Sequence, residues 1–281
     1  MALYIEKETI LYLDKVSVGY ADKNDRTKVN MILKDVSLVE KDIVREGHKA
    51  TGQTIAFIGR SGRGKSTLFK ALTGLLKPTS GKVLITNTET ADVNDAKEVS
   101  EGDVGFVDQK YTLFRHKTLN QILHYAMRKL GKTKAEKDAI IDSYLADWGL
   151  AEHKNKYACE LSGGQRQRTA ILEQMLTSKH FVVLDEPFSG LDVGNIEKVK
   201  SSFDRILSDD ELNTIIFSTH DIKLAVELAD SIYIIGHPEP TAEYSTIIKH
   251  YDLKQMGLAW NPWSDSHRAL VSEIKNVVVN S

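Results

Sequence analysis

Gly59-Arg60-Ser61-Gly62-Arg63-Gly64-Lys65-Ser66-Thr67 follows the apolar run Thr54 to Ile58 and opens a segment in which Leu68, Leu72 and Leu75 recur at helical spacing. A glycine-rich turn alone is a common structural device. This one lies between a strand and a helix, which is the context a phosphate loop requires. Glycines let backbone N–H groups converge on phosphate oxygens, and the helix amino terminus adds about half a unit of positive charge. Lys65 is spaced to reach the β and γ phosphates of a nucleoside triphosphate, and the Ser66 hydroxyl to ligate magnesium. All nine residues, Gly59, Arg60, Ser61, Gly62, Arg63, Gly64, Lys65, Ser66 and Thr67, are therefore expected to contact nucleotide.

Outward from this loop, short β-branched runs alternate with segments of helical period, the pattern of a parallel sheet flanked by helices. Thr54 to Ile58, Val83 to Ile85, Val104 to Val107, Phe181 to Leu184, Thr214 to Ser218 and Ser231 to Ile235 read as core strands covered on both faces. Ahead of them, Ile10 to Val18 and Ile32 to Val39 read as antiparallel partners in a separate small sheet. In the middle, Leu119, Ile122, Leu123, Ala126, Met127 and Leu130 keep a helical period, and so do Ile141, Tyr144, Leu145 and Trp148. Thr133 and Glu136 are spaced as a capping box for the second of these helices. After Ile235 the sheet pattern stops at Gly236-His237-Pro238-Glu239-Pro240, and the remainder reads as a helical appendage. The expected fold is α/β: a parallel-sheet P-loop NTPase core with a small amino-terminal antiparallel β-subdomain and an inserted α-helical subdomain. The core domain is expected over residues 1–240, the insertion over about 111–165, and the appendage over 241–281.

Composition fits a soluble globular chain: of 281 residues, 41% are hydrophobic, enough to build a large core. Thirty-seven basic residues meet 39 acidic ones, with no long like-charge block, so no nucleic-acid partner is expected. Cys159 is the only cysteine, which excludes an internal disulfide; it is expected to be small core filling. The first ten residues already carry Glu6, Lys7 and Glu8 and do not resemble a secretory signal. No apolar run approaches the roughly 18 residues of a membrane span, so any membrane role goes through a partner.

A triphosphatase also needs a carboxylate for the metal, and Phe181-Val182-Val183-Leu184-Asp185-Glu186 places two at the end of a buried strand. Burying an unpaired carboxylate costs several kcal/mol, so these acids need a role. Asp185 suits the magnesium shell, and Glu186 suits a general base that orients the attacking water.

Leu161-Ser162-Gly163-Gly164-Gln165-Arg166-Gln167-Arg168 lies some 20 residues before Asp185. With it, the sequence resembles the ATP-binding-cassette superfamily, specifically the nucleotide-binding subunit of a transporter, from roughly Leu11 to Gly236. The resemblance implies that ATP and Mg²⁺ are bound, and that Ser162, Gly163, Gly164 and Gln165 open a helix against the γ-phosphate of ATP held by an opposite subunit. Tyr20 matches the aromatic that stacks on adenine. Gln109, in Phe106-Val107-Asp108-Gln109, matches the glutamine that touches the metal and the attacking water. His220, in Ser218-Thr219-His220-Asp221, matches the histidine on the γ-phosphate, and Asp192, in Ser189-Gly190-Leu191-Asp192, the loop that crosses the dimer interface.

The implied partners are a second copy of the chain or a homologous cassette subunit, integral membrane permease subunits and, for an importer, a substrate-binding protein. The implied location is the cytoplasmic face of the membrane. The permease would dock beside Gln109 to Lys117 and the first inserted helix. Three departures stand out: Arg115 where proline is common, Glu173 where arginine is common on the signature helix, and a long segment from Glu40 to Gly52. Relatives that act on chromosomes separate the two nucleotide motifs by a long coiled coil, and translation-factor relatives carry two cassettes. Here fewer than 100 residues separate Lys65 from Ser162, and there is one set of motifs. That favours transport, with an importer of a small solute as the leading reading; lipid transport, export and a soluble role are its alternatives. A sensor without turnover is disfavoured by Glu186 and His220.

Overall fold

The computed structural model describes residues 4–22, 25, 27–45, 52–86, 96–177 and 180–281. Two long strands open the chain, β1 (Tyr4–Ala21) and β2 (Val29–Arg45), followed by β3 (Gln53–Ile58), helix α1 (Lys65–Leu72), β4 (Ser80–Ile85), β5 (Lys97–Glu98) and β6 (Gly105–Val107). Helices α2 (Leu119–Ala126), α3 (Lys134–Asp147) and α4 (Gly163–Met175) come next, then β7 (Phe181–Leu184) and α5 (Val193–Asp209). The chain continues through β8 (Thr214–Thr219), α6 (Ile222–Leu228), β9 (Ser231–Gly236), β10 (Thr246–Asp252) and α7 (Asp265–Val279).

The strands form two sheets. The core sheet has the order β10-β9-β3-β8-β7-β6, parallel throughout except for β10, and the smaller sheet has the order β2-β1-β4-β5. Alternation along β3 explains why both its faces are covered. Ile55 and Phe57 pack with Leu68 and Phe69 of α1 and with Leu11, Leu13 and Leu33 of the small sheet, whereas Ala56 and Ile58 pack with the helical side of the molecule. The α2 and α3 stripes read from the sequence are the buried ones: Leu119, Ile122, Leu123, Ala126, Ile141 and Leu145. Thr133 accepts from the Glu136 N–H while the Glu136 carboxylate accepts from the Thr133 N–H, closing the expected capping box.

Several expectations are corrected. Val83 to Ile85 belongs to the small sheet, pairing antiparallel with β1 in the register Leu13↔Val83 and Leu11↔Ile85. A three-residue apolar run carries no mark of which sheet it joins. The chain after Gly236 is not wholly helical: past Pro238 and Pro240 it returns as β10 along β9, and only then forms α7. Lys249 and His250 on this edge strand mask its pattern. Cys159 is exposed on a short 3₁₀ turn rather than buried.

The Glu40 departure has a structural use, although residues 46–51 lie outside the described set. Glu40 is buried at the far end of β2, where its Oε1 accepts from the Tyr233 hydroxyl at 2.7 Å, with Lys254 Nζ 3.7 Å from its Oε2. The extended β2 is thereby tied to β9 and to the turn after β10. The Glu173 departure has an energetic cost. Burial on α4 pushes its carboxyl up to about 7, only partly offset by the Arg128 charge. Between the ordinary carboxyl value of 4.5 and about 7 the folded chain holds a proton that the unfolded chain has released, so this group's contribution falls as pH rises through that window. Glu173→Gln is therefore expected to raise stability at pH 8 by on the order of 2 kcal/mol and to flatten its pH dependence below 7. Urea unfolding at pH 5 and pH 8 checks this; an unchanged difference between the two pH values contradicts it.

Candidate nucleotide site

The loops that follow β3, β6, β7 and β8 all leave the sheet at the carboxyl edge of its parallel strands, where ligand crevices of open α/β sheets lie. They enclose a cavity of about 520 Å³ lined by Ser61, Gly62, Gly64, Lys65, Ser66 and Thr67 of the first loop, by Gln109, Asp185, Glu186, Ser189 and His220, and by Tyr20 and Ile32 from the small sheet.

Backbone geometry explains the glycines. Gly62 and Gly64 have φ of 82° and 86°, left-handed values that a side chain resists. A Cβ on Gly59 would stand 2.4 Å from the carbonyl oxygen of Ile235. The turn thus folds Lys65 back over its own loop, where Nζ donates to the carbonyls of Gly59 at 2.7 Å and Arg60 at 3.3 Å. Burial lowers the Lys65 pKa, against the pull of Glu186 and Asp185. Its Nζ stands 3.9 Å from Glu186 Oε1.

Asp185 follows β7 and is 5% exposed. Ser218, wholly buried at the end of β8, joins the two acids: its Oγ accepts from the Glu186 N–H at 2.9 Å and donates to Asp185 Oδ1 at 2.6 Å. Glu186 has a left-handed backbone, φ 51°, a conformation that costs about 1 kcal/mol or more outside glycine and that recurs at functional sites. This bend directs its carboxylate toward the exposed His220, whose Nδ1 is 2.9 Å from Glu186 Oε2. Beyond Gln109, Tyr111 packs close enough to Glu186 that burial and this charge push its hydroxyl up to about 12.

Some expected residues stand elsewhere. Gly59, Arg60 and Arg63 are outside the cavity lining, and Arg63 turns away to His237 Nε2 at 2.8 Å and the Ser281 carbonyl at 3.0 Å. Ser162 caps α4, accepting from the Gln165 N–H while Gln165 Oε1 accepts from the Ser162 N–H at 2.8 Å. Ser162 and Gly163 are exposed, Gly164 packs on Asn195, and none of the four signature residues lines the cavity. Asp192 caps α5 and is also outside it. Ser218, Ser189, Ile32 and Tyr111 were not assigned to this site from the sequence: Ser189 was read in the interface loop and Tyr111 in the docking stretch. Ser218 had a signal, a hydroxyl inside an apolar strand end; Ile32 had none.

The donor set fits magnesium and a nucleotide. The buried Asp185 carboxylate and the Ser66 hydroxyl both line the cavity with the phosphate loop, and a few hard oxygen donors are what magnesium takes when phosphates complete its shell. Among the described residues no cluster of three or more His, Cys, Asp or Glu offers an all-protein metal cage.

A phosphate loop over a paired strand-end Asp and Glu, on the carboxyl edge of a parallel sheet, defines a P-loop nucleotide-binding protein. The family model described as ABC transporter matches residues 46–189, just over half of the chain, and the chain belongs to that family. A sulfate/thiosulfate import ATP-binding protein of Synechococcus elongatus is 35% identical over 187 residues, 66% of this chain and 53% of that one. Its counterpart in Thermosynechococcus vestitus is 34% identical, over 72% of this chain and 59% of the relative. The chain thus spans little more than half the length of these curated relatives. Among solved structures, an ATP-binding subunit of an ABC transporter superposes with a TM-score of 0.66 at 22% identity, covering 94% of this chain and 99% of that one. A dimeric ATP-binding cassette in a post-hydrolysis state, bound to ADP and Pi, gives 0.66 at 23% identity, covering 87% of this chain and 99% of its own. At that identity the two likenesses establish the fold.

Proposed function

We propose that this chain is the ATP-binding and hydrolysing subunit of an ABC importer, working as a head-to-tail dimer that drives a separate membrane permease. One observation carries the reading. Lys65, Asp185, Glu186, His220 and Gln109 meet at one cavity, while Ser162, Gly163 and Gly164 face solvent or core elsewhere, so a second copy is needed to bring the signature to the nucleotide.

In this reading the first loop and Lys65 hold the phosphates, Tyr20 stacks on the adenine, and Ser66 with Asp185 would hold Mg²⁺. The metal supplies charge neutralisation at the phosphates when bound. Glu186 orients the attacking water and takes its proton, with His220 beside it, 2.9 Å from Oε2, to contact the γ-phosphate. Nucleotide favours the closed pair, and loss of phosphate removes the contacts that held it closed.

The permease would dock beside Gln109 to Lys117, where Phe114 and Tyr125 are exposed and pack edge to face at 5.3 Å. The relatives' role in import, and the dimeric state of the ADP-bound cassette, support both partners. Among the described residues no helix is long and apolar enough to cross a membrane; attachment through the permease would place the chain on the cytoplasmic face.

With a non-hydrolysable ATP analogue and Mg²⁺, sedimentation velocity is expected to show twice the mass of a single chain. Ser162→Arg is expected to bind the analogue with unchanged affinity and remain monomeric, because the exposed signature would clash with the partner's phosphates. Dimerisation of that variant at the wild-type concentration overturns the shared-site reading.

A further inference from the structure

A second cavity, of about 270 Å³, lies where the end of α3, the signature helix α4 and the middle of α5 meet; its lining includes Asp147, Trp148, Arg168, Lys198, Ser202 and Arg205. Three cations thus face one carboxylate. Arg205 is already engaged, with Nη2 2.9 Å from Asp147 Oδ2 and Nε 3.3 Å from Asp209 Oδ1. Lys198 has no ion pair among the described residues.

Arg168 is the unusual member. It is 7% exposed, its guanidinium makes no hydrogen bond or ion pair among the described residues, and its Nε is a wholly buried donor without a partner. Trp148, 5% exposed on the same cavity, adds a second orphan donor in its indole Nε1. Buried donors are nearly always satisfied, and a buried charge without a counter-charge destabilises the folded state. An anion against the part of the Arg168 guanidinium that reaches the cavity would supply the missing counter-charge. A guanidinium fork is a donor only, and it matches an oxyanion better than a spherical ion. The space exceeds that of a single ion, which leaves room for the waters that usually complete such a shell.

We propose that this cavity binds a small tetrahedral oxyanion, inorganic phosphate or sulfate, held by Arg168 and Lys198 beside the Trp148 ring. The ligand would cross-link the inserted helices to the core through the helix that carries Ser162 six residues upstream of Arg168, and through α5, which Asp192 caps. It is separate from the nucleotide cavity and does not depend on the proposed function.

The test uses the indole N–H resonance of Trp148 in ¹⁵N-labelled protein, assigned with Trp148→Phe, with the nucleotide cavity first saturated with Mg-ADP. Sodium sulfate and sodium phosphate are titrated against sodium chloride at matched ionic strength. The expected result is a saturable shift with sulfate, phosphate or both, and none with chloride. Arg168→Met is expected to weaken binding about tenfold or more, and Lys198→Ala about threefold. Lys198 is exposed, so its variant remains readable if Arg168→Met does not fold. An unshifted resonance, a response equal to that of chloride, or affinity unchanged in Lys198→Ala overturns the proposal. Failure of Mg-ADP to bind counts instead against the nucleotide site.

Discussion

Glu186→Gln is expected to cut ATP turnover by about 10²- to 10⁴-fold while leaving nucleotide affinity within about twofold. The amide keeps the shape of the side chain and leaves the Glu186 N–H bonded to Ser218 Oγ, so the left-handed turn after β7 is preserved. It loses the one property the base needs, a carboxylate able to accept a proton from water. It also loses the charge that faces Lys65 at 3.9 Å, which leaves the lysine freer to engage phosphate and offsets any loss of binding. Phosphate release and binding of a fluorescent ATP analogue, measured on the same preparation, separate the two effects. Turnover within tenfold of wild type would assign the base elsewhere, with His220 as the nearest candidate.

Lys65→Ala should act at the other step, weakening ATP by about 10²-fold or more through the loss of charge-assisted hydrogen bonds. Lys65 Nζ donates to the carbonyls of Gly59 and Arg60, so part of what it would give to phosphate is exchanged for these bonds. That limits the gain per bond but not the electrostatic effect, because the amine is buried and close to two carboxylates. Removing it leaves Asp185 and Glu186 facing the incoming phosphates without their balancing cation. Equilibrium binding of the same analogue checks the loss, and a far-ultraviolet circular dichroism melt distinguishes it from unfolding. Affinity within about threefold of wild type would mean that the loop's N–H groups alone hold the nucleotide.

Most of the core was legible because the relevant signals are local. Glycines at left-handed φ, a continuous apolar strand and a capping box each lie within a few residues, and Gly62, Gly64, Thr54 to Ile58 and Thr133 with Glu136 fold as read. The misread parts depend on distant partners. Val83 to Ile85 is apolar in either sheet, and only its pairing with Leu11 and Leu13 decides between them. β10 has Lys249 and His250 where a central strand would be apolar, since only one of its edges is bonded. At the site, residue identities were readable but their arrangement was not. Nothing in Asp185-Glu186 announces the left-handed φ of Glu186, and the hydroxyl that joins the two acids comes from Ser218, 33 residues beyond Asp185. The Arg168 cavity was equally hidden, because α3, α4 and α5 must all be in place before its guanidinium can be seen to lack a partner.

The exposure of Ser162 and Gly163 bears on kinetics as well as on architecture. If the signature acts only on a neighbour's nucleotide, a dilute solution of this chain is limited by encounter, and its activity per molecule rises with its own concentration. If two copies are held on one permease, as proposed, they would no longer need to find each other, because the shared scaffold would replace bulk concentration with a local one that can reach the millimolar range. On the proposed function, a membrane partner would then do more than receive the motion: by fixing where two chains stand, it would set how often the site turns over.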